Sequence, residues 1–158
     1  MKQTVLTVLA VCALATAPAF AAQDMHQHGH DAHGATLQLN AGKKWETDAA
    51  LRKDMGAIRQ SMASSLDAIH ANKMPPQAYA ALARKVEDGV ADMVANCKLA
   101  PAADAQLHVV VAELLAGAEH MAGKAKSGTP QDGAVKVIGA LNNYGKYFDD
   151  PDFQPISH

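Results

Sequence analysis

Met93-Val94-Ala95-Asn96-Cys97 sets a thiol one helical turn after a thioether, and His108 follows beyond Pro101. Thiolate and thioether are soft donors that favour Cu(I), and an imidazole fits beside them. Counting levels outward from each turn puts Met55 opposite residues 91 to 93, and Met93 opposite His108. The same counting puts His108 opposite Lys146, with Tyr144 and Tyr147 as neighbours. Met55, Met93, Cys97 and His108 therefore gather at one end of a helical array, with a tyrosine beside them. Packing alone accounts for much of the same pattern. Methionine at core spacing is adaptable filler, and free cysteine is among the most buried residue types. At about 100° per residue, His108 falls on the flank of its helix stripe.

A second imidazole set lies upstream. Between Gln23 and Gly34 the chain carries His26, His28, His30 and His33, separated by Gln, Gly, Asp and Ala. The stretch has almost no apolar side chain to bury, so disorder is expected over 22–36. Flexible imidazoles two and three residues apart can wrap Cu(II), Ni(II) or Zn(II). A solvated tail is the plainer account. His70 at a stripe edge and His120 facing solvent add no second cluster.

The first 21 residues read as a cleavable secretory leader. They have Lys2, an uncharged apolar run from Val5 to Ala15, and Ala19-Phe20-Ala21 as a small-x-small cleavage site. The run is too short to span a bilayer permanently. Leu9-Ala10-Val11-Cys12 is close to a lipoprotein box, but Val11 before the cysteine and the short apolar run speak against it. Export places the mature chain in the periplasm. Cleavage removes Cys12 and leaves Cys97 as a single thiol, which must be buried, metal-bound or paired with another molecule. The whole chain carries 14 basic and 16 acidic residues, a net charge of −2. Without Lys2 the mature charge is −3, far from a nucleic-acid footprint.

Thr36-Leu37-Gln38-Leu39-Asn40 alternates apolar and polar, and residues 37–46 form an extended lead-in that lays Leu37, Leu39 and Trp45 on the helices. They are too few for a sheet and have no partner strand. From Thr47, a helix N-cap with Asp48 in the first turn, the period becomes helical. Leu51, Met55, Ile58, Met62, Leu66 and Ile69 form one stripe. Tyr79, Leu82, Val86, Val90, Met93 and Cys97 form the next, then Leu107, Val111, Leu114, Ala118 and Met121. The last is Ala134, Val137, Ile138, Leu141, Tyr144 and Phe148. Pro75-Pro76, Pro101 and Thr129-Pro130-Gln131-Asp132, a capping box, mark the starts. The expected helices span 48–72, 76–99, 102–123 and 130–149. A short polar tail, 151–158, leaves Phe153 and Ile156 free to fold back. The expected fold is all-α: an up-down-up-down four-helix bundle over 47–150 behind a disordered histidine-rich segment.

Enzyme signatures are missing: no Gly-x-Ser-x-Gly, no His-Glu-x-x-His, no phosphate-cradling glycine loop. Glu113 and Glu119 fall on or near the outer face of their helix. In size, export and helix order the chain resembles cytochrome b562 and cytochrome c′. Met55 looks like the methionine ligand of the b562-type haem pocket, but the position after Tyr144, where that pocket has its histidine, is Gly145. No Cys-x-x-Cys-His is present for covalent haem attachment. A wider resemblance rests on Leu37 to Arg52 (LQLNAGKKWETDAALR), Asn96-Cys97-Lys98-Leu99 and Ala103 to His108, together with the histidine-rich lead. These look like the small DnrO-type exported proteins of proteobacteria, which implies a binding or accessory role over catalysis. The sequence thus points to a periplasmic transition-metal protein, with copper foremost. A metal-free module docking a periplasmic protein partner is the alternative, and b-type haem binding the third.

Overall fold

The computed structural model describes residues 36–157. The expected leader and the stretch holding His26, His28, His30 and His33 lie outside them. The elements run β1 (Trp45–Glu46), α1 (Ala49–Ala63), α2 (Leu66–His70), α3 (Pro76–Asn96), α4 (Pro101–Met121), α5 (Pro130–Tyr147) and β2 (Phe148–Asp149). The protein is mostly helical, with little strand.

Asp48, not Thr47, caps α1: its Oδ1 accepts the Leu51 N–H at 2.7 Å. Thr47 bridges other segments instead. Its hydroxyl donates to the Asp149 carbonyl at 2.6 Å and accepts from Arg52 Nη1 at 3.0 Å. The expected first helix is divided at Ser64-Ser65. Both hydroxyls donate back to carbonyls one turn earlier, Gln60 at 2.8 Å and Ser61 at 3.2 Å, and the Ser65 N–H tightens onto Met62. Such back-bonding competes with the regular ladder. Gln131 Nε2 donates to the Ile69 carbonyl at 2.8 Å, tying α2 to the start of α5. The capping box at Thr129 forms as expected, with Thr129 and Asp132 each satisfying the other's backbone N–H.

The lead-in does find a partner strand. β1 pairs in parallel with β2, Trp45 opposite Phe148 and Glu46 opposite Asp149. This pairing ends α5 at Tyr147, two residues before the expected stop. Leu37 and Trp45 pack on the core, whereas Leu39 stays 41% exposed. Upstream, Asn40 and Lys43 close a turn in which Ala41 and Gly42 both have positive φ, 48° and 86°.

α4 packs on α3 and α5, and α1 packs on α3 and α5. One hydrophobic cluster fills the space between them, from Leu51, Met55 and Met62 through Val86 and Met93 to Leu114, Ile138 and Tyr144. Phe153 and Ile156 fold back onto it. Phe153 meets Tyr144 edge-on at 4.9 Å, and Asn142 clamps the Ile156 backbone at both its N–H and its carbonyl. α4 and α5 approach closely at Gly117 and Gly133, where a Cβ on Gly133 would sit 2.5 Å from the Met121 nitrogen. Among the described residues no helix is long and apolar enough to cross a membrane.

Candidate metal centre around Cys97

Cys97 does not continue the α3 stripe. Its N–H still bonds to the Met93 carbonyl at 2.9 Å, but its own backbone is extended, φ −69° and ψ 142°, so α3 ends one residue earlier. The cause lies across the fold. Asp48 Oδ2 accepts the Lys98 N–H at 2.6 Å, drawing the chain off the helix toward the start of α1. The Cys97 thiol also donates to the Asp48 carboxylate. One side chain thus caps α1 and anchors the α3–α4 connection.

The electrostatics follow from this arrangement. Burial pushes the Cys97 thiol up, and the charges of Asp48, Asp54 and Asp104 with the bond to Asp48 push it further, to about 12 from an ordinary 9.0. For Asp48, burial works upward but is outweighed by the Leu51 and Lys98 N–H groups and the thiol, so its carboxyl lies below the usual range. Tyr144 is raised by burial and by donating to Asp150 Oδ2 at 2.9 Å, and a negative charge on Cys97 would raise it more. Asp54, only 4% exposed, is ion-paired with Lys53 at 3.3 Å. The corner is acidic and half-buried. It holds a protonated thiol.

Of the residues singled out in the sequence, Met55 and Met93 are fully buried in the cluster against which Cys97 packs. His108 does not join them. Its side chain is 67% exposed, and Nδ1 lies 2.8 Å from the Asp104 carbonyl and 3.5 Å from Asp104 Oδ2, one turn back on α4. Among the described residues no group of three or more His, Cys, Asp or Glu side chains is placed to hold a metal, so any site here must draw on the thioethers. Tyr144 is the tyrosine brought near Cys97. Gly145, the position that bears the histidine in a b562-type pocket, backs onto Phe153, whose ring would be 3.0 Å from a Cβ there. The place of the second axial ligand of a b562-type pocket is thus taken by the Phe153 ring.

Comparison with family models, with curated proteins and with solved structures finds no match. The local chemistry must carry the reading.

Sequence reasoning missed Asp48, Asp54 and Asp104 as the setting of Cys97. Asp48 reads as a first-turn charge beside a Thr47 cap, and no spacing sets Asp54 or Asp104 apart. The one available signal was Thr47-Asp48, where two adjacent residues can both cap and only the fold chooses. His120 is half-buried beside the turn at Gly128 rather than facing solvent, and Glu113 accepts a bond from Asn143 of α5 at 3.1 Å.

Proposed function

We propose that this chain is an exported, non-catalytic accessory protein of the periplasm that binds a transition metal, copper foremost. It does so on an up-down-up-down four-helix bundle in which α2 continues α1. The carrying observation is the acidic, half-buried corner that couples the Cys97 thiol to Asp48 beside the buried thioethers of Met55 and Met93. Burial, and then the charges of Asp48, Asp54 and Asp104, hold the thiol protonated; the same negative charge favours a cation there, and the proton is the one at hand. Cu(I) held at Cys97 would take the place of the S–H proton, which leaves to solvent, so the net charge of the corner would not change. The buried thioethers are soft ligands of the kind Cu(I) accepts without dehydrated oxygen donors. His108, on the exposed side of the same end, and His26, His28, His30 and His33 serve capture of a loosely held ion. The reading agrees with the DnrO-type resemblance.

The test is anaerobic Cu(I) titration of residues 36–158 against a competing chelator, with Cys97→Ser alongside. One-to-one binding lost in the variant supports the core site, and affinity should rise about tenfold per pH unit near neutrality because one proton leaves per ion. No binding without the histidine-rich segment would remove the core site and leave the tail as the only metal ligand. A second reading, a metal-free module that docks a periplasmic protein, is favoured by Val94 on α3, 71% exposed, and by Val135 and Leu115 at 50% and 40%.

A further inference from the structure

We infer that the groove between α1 and the C-terminal segment binds a small carboxylate-bearing organic anion. The groove is open to solvent and offers about 480 Å³, within the size range of small-molecule sites. It is lined by Arg52, Lys53, Gly56 and Arg59 on one wall, and by Asp150, Asp152 and Phe153 on the other. This inference stands apart from the metal reading and uses none of its ligands.

Three observations converge. First, both guanidinium groups are held by the protein without being neutralised. Arg52 Nη1 donates to the Thr47 carbonyl at 2.8 Å and to its hydroxyl, and Arg59 Nε donates to the Gln154 carbonyl. Among the described residues neither has a carboxylate within ion-pairing distance. Arginine carries five donors in a fixed fork that matches a carboxylate, and here only part of each fork is engaged. Second, the acidic wall is already committed at Asp150, which accepts the Tyr144 hydroxyl and the Asp152 N–H. Third, Gly56 lies in the interior of α1, midway between the arginines, and a Cβ there would meet nothing within 4 Å. Glycine weakens a helix relative to alanine, and no neighbour requires it here. The room it leaves is the floor of the groove.

Arg52 and Arg59 are two helical turns apart, about 10.5 Å along the axis at 1.5 Å per residue. An anion lying along α1 can reach both forks while its carbon chain rests on Gly56 and the Phe153 ring.

The experiment is an amide-shift titration of the full mature chain with succinate, and separately with inorganic phosphate, in wild type, Gly56→Leu, Arg52→Gln and Cys97→Ser. Saturable shifts confined to residues 49–59 and 150–153 are expected with succinate. Binding should be about tenfold weaker in Arg52→Gln, the loss of one charge-assisted contact. It should vanish in Gly56→Leu, whose melting temperature stays at or above that of wild type, and stay unchanged in Cys97→Ser. Succinate binding retained in Gly56→Leu, or no saturable shift in wild type, overturns the site. Phosphate binding as tight as succinate overturns the carboxylate assignment.

Discussion

Burial raises the Cys97 thiol first, and Asp48 raises it further through its charge and a hydrogen bond; the shift makes two measurable differences. Alkylation needs the thiolate, and a rise from 9.0 to about 12 lowers its population near neutrality about a thousandfold. Iodoacetamide should therefore label folded protein far more slowly than the unfolded chain. Asp48→Asn should speed labelling while keeping the helix, because asparagine caps as well as aspartate. Equal labelling rates for Asp48→Asn and wild type would refute the coupling. The same shift has a stability sign. The thiol is harder to ionise folded than unfolded, so its contribution is complete below pH 9 and is lost as pH rises from 9.0 toward about 12. Thermal melts across that window should fall less steeply for Cys97→Ala than for wild type. Tyr144, raised for a similar reason, adds the same sign above pH 10 in both proteins.

At the scale of elements, the close approach of α4 and α5 depends on two glycines. A Cβ on Gly133 would press into the Met121 nitrogen at 2.5 Å and the Gly117 carbonyl at 2.6 Å, backbone atoms that cannot step aside. Gly133→Ala should destabilise by about 1–3 kcal/mol through overpacking. Gly139, also on α5, has open space where its Cβ would go. Gly139→Ala should stabilise by about 0.5–1 kcal/mol on helix propensity alone. Urea unfolding of the two variants checks both signs, and a loss in each would mean that propensity and packing have been misassigned. The stripes of α3 and α4 are legible from residue spacing because burial imposes the 3.6-residue period on the sequence. The Ser64-Ser65 break is not, since serine is tolerated within helices and only its back-bonding to Gln60 and Ser61 divides α1 from α2.

Across the whole molecule, the two ends of the described chain close over one another. β1 and β2 pair, Lys44 Nζ donates to the Gly145 carbonyl at 2.7 Å, and the segment after β2 returns across α1 and α5. Phe153 is the keystone of that return. Phe153→Ala should cost about 3 kcal/mol, read as a lowered urea midpoint, by removing a buried ring from Tyr144. A change below about 0.5 kcal/mol would show the segment to be a loose tail, since surface substitutions fall in that range. Residue spacing alone makes the chain helical, marks Pro76, Pro101 and Pro130 as helix starts, and picks out most of the residues that face inward. Each of these is a local matter of period, proline geometry or capping. Counting across short turns also singles out Met55, Met93 and Cys97, and in the structure the two methionines lie in the cluster against which Cys97 packs. That Asp48 takes the cap, that Cys97 leaves the helix to meet it, that Phe148 finds Trp45, and that Arg52 and Arg59 face a groove are outcomes of the folded chain. Those outcomes depend on pairs far apart in the chain, where no periodicity records which partner wins.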